Sequence, residues 1–226
     1  MKQISRSRVT DVDERERDNS FAYWHKRDHL FRVSVDGLTL LEESHWPASP
    51  SLTQLCQDKG QTEENCHNFI RVLLQRGDQV LACGTNAFSP RCSWRQIEAI
   101  DVVDEWVNGM AKCPYSPHAN ITSLMTADGD YFIGAPTDFS GQDAAIYRLL
   151  GQSNRLRTMQ YNSKWLNRPE FVGSFETEDF VYFFFREVAV EYINCGKVRY
   201  FTIVLFFVQS LAIGGLLIRS FRTVDY

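Results

Sequence analysis

The stretch FIRVLLQRGDQVLACGT, residues 69–85, places two apolar runs on either side of a short polar Arg-Gly-Asp. FIRVLLQ and QVLACGT are rich in β-branched and aliphatic residues, and Gly77 supplies the tight bend between them, so the stretch reads as a β-hairpin. Arg76-Gly77-Asp78 also spells an integrin-binding tripeptide, but a turn at this position asks for the same residues, and the turn takes precedence. The arrangement recurs upstream. In HLFRVSV (29–35), Leu30, Arg32 and Ser34 alternate with Phe31, Val33 and Val35; Asp36-Gly37 then offers a turn and LTLLEE (38–43) begins a second run. Downstream, SLMTA, DGD and YFIGAP repeat it over 123–136, followed by AIYRLL (145–150), FVGSF (171–175) and DFVYFFFREVAV (179–190). Many short antiparallel strands at near-regular spacing define an all-β chain, built as a sandwich, barrel or propeller. RQIEAIDVVDEWVNGM (95–110) can be read at helical spacing through Ile97, Ile100, Val103, Trp106 and Val107.

The 226 residues carry a formal net charge of -4, with 44% hydrophobic and 23% charged residues. Such a chain buries a sizeable core. Without a run of basic residues longer than two, it lacks the electrostatic footprint of a nucleic-acid binder. Residues 1–20 hold only Met1, Ile4, Val9 and Val12 as larger apolar residues among many charges. They read as a disordered polar start without the apolar core of a secretory signal peptide.

Six cysteines are present: Cys56, Cys66, Cys83, Cys92, Cys113 and Cys195. Cys56 and Cys66 bracket QDKGQTEEN, and Cys83 and Cys92 bracket GTNAFSPR. Each is a polar loop beside an apolar run. Neither gap is the C-x-x-C of a zinc site, and loops of this length suit disulfide staples. Disulfides belong to oxidising compartments, whereas residues 1–20 do not read as a secretory leader, so on this reading either the thiols are reduced or the true N-terminus lies upstream of this sequence.

The final apolar run, FTIVLFFVQSLAIGGLLI (201–218), has only Thr202, Gln209 and Ser210 as polar members and is followed by Arg219 and Arg222. It is just above the roughly 17 residues that a membrane span needs, and a helix crossing a membrane competes here with a buried segment or an aberrant translated tail. Residues 1–20, 21–200 and 201–226 therefore form the three expected regions.

Read together, NCHNFIRVLL (65–74), VLACGTNAFSPRC (80–92), AKCPYSPHANIT (111–122), DFSGQDAAIYRLLG (138–151), LRTMQYNSKWLNRPEFVGSF (156–175) and VYFFFREVAVEYINCGK (181–197) resemble the sema domain of semaphorins, in the family's order. DFSGQD and QYNSKWLN look most like class 5, while EYINCGK is shared with classes 1 and 2. HLFRVSVDGLTLLEE looks like the family's early strand pair. The resemblance implies a seven-bladed β-propeller of which this chain would supply three to four blades, a partial or truncated sema domain. It stops near Tyr200, where relatives continue as RVARVCKND.

A semaphorin is an extracellular or cell-surface ligand for plexin receptors that guides axons and migrating cells, needs no cofactor or metal, and is not an enzyme. The resemblance implies disulfides Cys56–Cys66 and Cys83–Cys92. Cys113 and Cys195 match cysteines of class 5 relatives, as a further disulfide or free thiols. It also implies N-glycosylation of Asn120 in the sequon Asn120-Ile121-Thr122, and a homodimer formed through the propeller. The loop Gln57–Asn65 with Lys59 is the candidate receptor contact, because a stapled loop binds with less ordering cost. The alternative is a membrane-anchored decoy held by residues 201–218.

The remaining candidates have plainer readings. Trp165, Tyr161 and Tyr182–Phe185 are expected in strand cores, with both faces of the latter covered by neighbouring blades. Cys113 and His118 suggest a nucleophile and base, but such pairs meet in space and not usually across five residues. Asp128, Asp130, Asp138 and Asp143 are expected as turn residues around Gly129 and Ser140-Gly141. No nucleophile elbow or phosphate loop is present.

Overall fold

Short strands joined by tight turns account for nearly all of the computed structural model, which describes residues 21–35, 37–151, 155–159, 166–188, 199–207 and 221–224. The chain divides between Cys113 and Pro114 into two units.

In the first unit, β1 (Phe21–Lys26), β2 (His29–Ser34) and β3 (Leu40–His45) form a three-stranded antiparallel meander. After the helix α1 (Pro50–Asp58) come β4 (Ile70–Arg76), β5 (Gln79–Gly84), β6 (Arg91–Gln96) and β7 (Val103–Asn108), a four-stranded meander in chain order. The opening hairpin folds as its sequence requires: Arg76 pairs with Gln79, and Gly77 at the bend has φ +57°. Arg76 lays its guanidinium 4.1 Å over the Trp94 ring, so the Arg-Gly-Asp tip is a turn with its arginine engaged.

Leu30, Trp46, Ile70, Leu73, Val80, Ala82 and Ile100 make the core between the two sheets. Arg95 is buried there at 2% exposure. Its guanidinium donates to the Ser93 and Ser44 hydroxyls, each at 2.8 Å, and to the Ile100 carbonyl, and it lies over the Trp46 ring. A charge can stay in such a core only when its donors are satisfied in this way.

The helix read over 95–110 does not form. β6 runs through Gln96, a turn carries Ile97–Val102, and β7 follows, with a register shift opposite Trp94 and Arg95. The helical spacing arises because Ile100 drops from the turn into the core, fully buried, while Val103 and Val107 alternate along a strand. A helix forms over Pro50–Asp58, where the sequence reading assigned no element and placed a loop only from Gln57 onward. Ser49 caps α1, its hydroxyl accepting the Leu52 N–H at 3.4 Å, and Pro50 occupies the first turn, where its missing donor costs nothing.

The second unit repeats the meander twice. β8 (Thr122–Met125), β9 (Tyr131–Pro136), β10 (Ala144–Leu149) and β11 (Leu156–Arg157) form one sheet. The other consists of β12 (Glu170–Glu176), β13 (Phe180–Val188), β14 (Arg199–Phe207) and β15 (Phe221–Val224). They pack through Phe132, Ala144, Ile146, Phe171, Val181, Phe183, Phe185 and Val204. Gly134 lets them approach: a methyl group there would stand 2.5 Å from the Phe171 ring.

The aromatic run on β13 obeys strand alternation, with a correction. Phe183 and Phe185 are fully buried, whereas Tyr182 and Phe184 face the other way, half-buried and stacked at 6.4 Å, so only one face is fully covered. The C-terminal run, read as a helix candidate, is extended from its first residue through Phe207, because β13 offers a ladder along the whole of β14. Residues 1–20, 160–165 (with Tyr161 and Trp165), Cys195 and 208–220 lie outside the described residues.

Candidate receptor surface and its disulfide frame

The first predicted staple is present between Cys56 and Cys66, with Cα atoms 5.8 Å apart. Cys56 is the buried position of α1, and Cys66 follows a 3₁₀ turn, Glu63–Asn65. Thr53, one turn before Cys56, donates its hydroxyl to the Cys66 carbonyl at 3.3 Å. Between the sulfurs, Lys59 ends the helix and Gly60 turns away at φ +85°, leaving Asp58, Lys59, Gly60, Thr62, Glu63 and Glu64 exposed. The segment is thus a helical turn and a 3₁₀ turn pinned at both ends, more ordered than the polar loop its composition suggested.

The residues after Cys66 tie this segment to both sheets. Asn68, fully buried, donates to the Trp46 carbonyl at 2.8 Å and accepts the Asn86 N–H at 3.0 Å. Its own N–H reaches the Asp28 carboxylate at 2.8 Å, whose other oxygen meets His67 Nδ1 at 2.8 Å. Gly84 is required beside it, since a Cβ there would fall 2.0 Å from the Asn68 side-chain oxygen.

The second staple joins Cys83 and Cys92, direct register partners on β5 and β6 and both fully buried. Its loop departs from expectation. Asn86, Ala87 and Phe88 are buried, and all three take left-handed backbone angles, φ +46°, +54° and +57°. Non-glycine residues adopt this conformation only when their surroundings hold them. Here Ala87 donates to the His67 carbonyl at 3.0 Å, Ser89 N–H to the Thr85 carbonyl at 2.9 Å, and the Asn86 amide to the Ser89 carbonyl at 2.9 Å. Sequence reasoning had no signal for three consecutive left-handed residues beyond the lone asparagine.

Cys113 is buried and joined to no described cysteine. Burial pushes its thiol far above the ordinary range, against the opposing pull of the Arg71 guanidinium, so it stays protonated and is a poor nucleophile. The acidic candidates serve turns. Asp138 accepts the Ser140 hydroxyl, the Ser140 N–H at 3.1 Å and the Asp143 N–H at 2.9 Å, and Gly129 sits at φ +83° between Asp128 and Asp130. Asp130, buried, approaches Arg148 at 3.8 Å. Among the described residues no group of three His, Cys, Asp or Glu side chains is placed to hold a metal ion. Asn120 is exposed just ahead of β8, and the Thr122 hydroxyl of its sequon shares a hydrogen bond with Ser174 at 2.9 Å.

His25, on β1, is held below the ordinary histidine value of 6.5 by burial first and by the Arg71 charge second. The folded chain therefore keeps this imidazole neutral while the unfolded chain takes up a proton. That contribution to stability is present above pH 6.5 and is lost as pH falls through the folded value. The urea midpoint is expected to be lower at pH 5.5 than at pH 7.5, with a smaller difference in His25→Gln; an identical difference would remove His25 from the account.

Successive antiparallel meanders, packed face to face within each unit and in the first stapled by two disulfides, define a β-propeller protein of the sema type. The chain belongs to the semaphorin family, and class 5 members are among its most similar relatives. It is 48% identical over 174 residues to mouse Semaphorin-5B, which covers 77% of this chain and 16% of that protein. It is 50% identical over 199 residues to Drosophila Semaphorin 5c, covering 86% and 18%. The chain thus spans less than a fifth of the length of these relatives. Among solved structures it is similar to Drosophila Semaphorin 1b, with a TM-score of 0.75 and 36% identity over 85% of this chain and 37% of that one. Semaphorin 1b has also been solved in complex with Drosophila Plexin A. No family model matches the chain.

Proposed function

We propose that this chain is part of an extracellular semaphorin ligand that engages a plexin-type receptor through the surface of its propeller, without catalysis or cofactor, and so guides axons and migrating cells. The observation that carries the reading is the stapled segment Cys56–Cys66: exposed, charged, and locked on both sides to a buried hydrogen-bond knot. A preorganised surface of this kind loses little entropy on binding. The solved complex of Semaphorin 1b with Plexin A, a relative 36% identical, supports the choice of partner. The Cys56–Cys66 and Cys83–Cys92 disulfides support a location outside the cell or on its surface, where oxidising conditions preserve them. Asn120 carries the glycan, and two copies pair through the propeller.

The test is binding of the full chain, expressed behind a signal peptide, to immobilised plexin ectodomain. Saturable binding is expected, and Lys59→Glu weakens it by about tenfold, roughly 1.4 kcal/mol. Absence of saturable binding from a monodisperse preparation ends the proposal for this chain. Binding untouched by Lys59→Glu moves the contact elsewhere on the propeller.

A further inference from the structure

The run Phe201–Ile218 has two candidate homes: a lipid bilayer, which its hydropathy fits, and a protein sheet, in which its first seven residues are found. These homes exclude each other. β14 pairs with β13 at nine successive positions, from Val188 opposite Arg199 to Phe180 opposite Phe207, and with β15 at four. Its side chains are committed as well. Thr202, 1% exposed, donates its hydroxyl at 2.8 Å to the carboxylate of Glu187, itself buried, and that carboxylate also takes the Asn167 N–H at 3.1 Å. Val204 fills the core beside Phe183 and Phe185. The alternation is that of a strand with one fully buried face: Thr202 and Val204 are buried, while Phe201, Ile203 and Leu205 are half-buried.

Moving these residues into lipid would strip β13 of its ladder along one whole edge and take a hydrogen bond from a buried carboxylate, both unfavourable. Leaving them in the sheet removes 201–207 from any span. The eleven residues Val208–Ile218, with Gln209, Ser210, Gly214 and Gly215 among them, are then too few for a helix that needs about 17 to cross the hydrocarbon core.

We propose that residues 201–207 are a blade strand, and that formation of this sheet keeps the run 201–218 from inserting into a membrane. The same residues that look like an anchor complete the fold, with Thr202 closing the hydrogen bonds of Glu187. This is independent of which receptor the chain binds.

The test uses the full chain carrying Tyr182→Cys and Leu205→Cys, which stand opposite each other on β13 and β14. It is translated behind a signal peptide with microsomes, oxidised, extracted with alkaline carbonate and floated on a density gradient, with the linkage located by mass spectrometry. The 182–205 link is expected in most chains, which remain below the floating lipid. Chains that float with the membrane after carbonate, or that lack the link whether floated or not, overturn the proposal. Val204→Asp is expected to abolish the link in chains that do not float; a link that persists in it supports the β13–β14 pairing and removes only the Val204 core contact from the argument.

Discussion

Phe183→Ala is expected to lower the unfolding free energy by about 3–5 kcal/mol, the usual cost of deleting a fully buried phenylalanine. Phe183 lies at the centre of the second unit's core, 6.4 Å from the Phe132 ring and beside Val181, Phe185 and Val204. Its neighbours come from two different sheets, which cannot both collapse into the space left behind. Phe184→Ala, one position on, removes a half-buried ring from the opposite face and should cost less than half as much. Urea denaturation of the two variants measures the difference. Equal losses would mean that alternation along β13 does not describe what each ring touches.

Removing either disulfide by paired alanine substitution should cost about 2–3 kcal/mol, because each closes a loop of about ten residues in the unfolded chain. The sequence separations are 10 for Cys56–Cys66 and 9 for Cys83–Cys92, so the two losses should agree within about 1 kcal/mol. The functional effects should differ. Without Cys56–Cys66 the exposed segment carrying Lys59 is freed and receptor binding weakens, whereas without Cys83–Cys92 the buried loop loosens while the exposed segment keeps its staple. Denaturation midpoints and receptor titrations on the same two paired variants read both effects. A pair whose removal leaves the midpoint unchanged would show that its loop is already closed without the bond.

Much of this was legible in the sequence because turns announce themselves. Gly77 and Gly129 sit where the chain must take positive φ, and the runs beside them became strands. The staples were legible too, since each pair brackets a loop of closable length. The rest was hidden for reasons that a one-dimensional reading cannot reach. Ile97, Ile100 and Val103 keep helical spacing by accident, Ile100 being recruited from a turn by the core beneath it. The helix α1 had a start signal in Ser49-Pro50, but its nine residues carry little apolar periodicity and bury only Cys56. The terminal run misled because hydropathy counts apolar residues without asking what covers them. A strand with one buried and one half-buried face is nearly as greasy as a span, and only the pairing with β13 separates them. The buried knot at Asn68 was invisible because its partners, Asp28, Trp46 and Asn86, lie 40, 22 and 18 residues away.

β7 is the last strand of its sheet, and a strand in that position leaves bare amides and carbonyls that any extended polypeptide could zip onto. Here the slip in register opposite Trp94 and Arg95 breaks the straight run of bonding groups, and Asp104 and Glu105 set two exposed carboxylates on it. The carboxyl of Asp104 is kept ionised below the ordinary range by the side-chain amides of Gln96 and Gln79. Negative charge and a crooked ladder together make this border a poor template for runaway stacking.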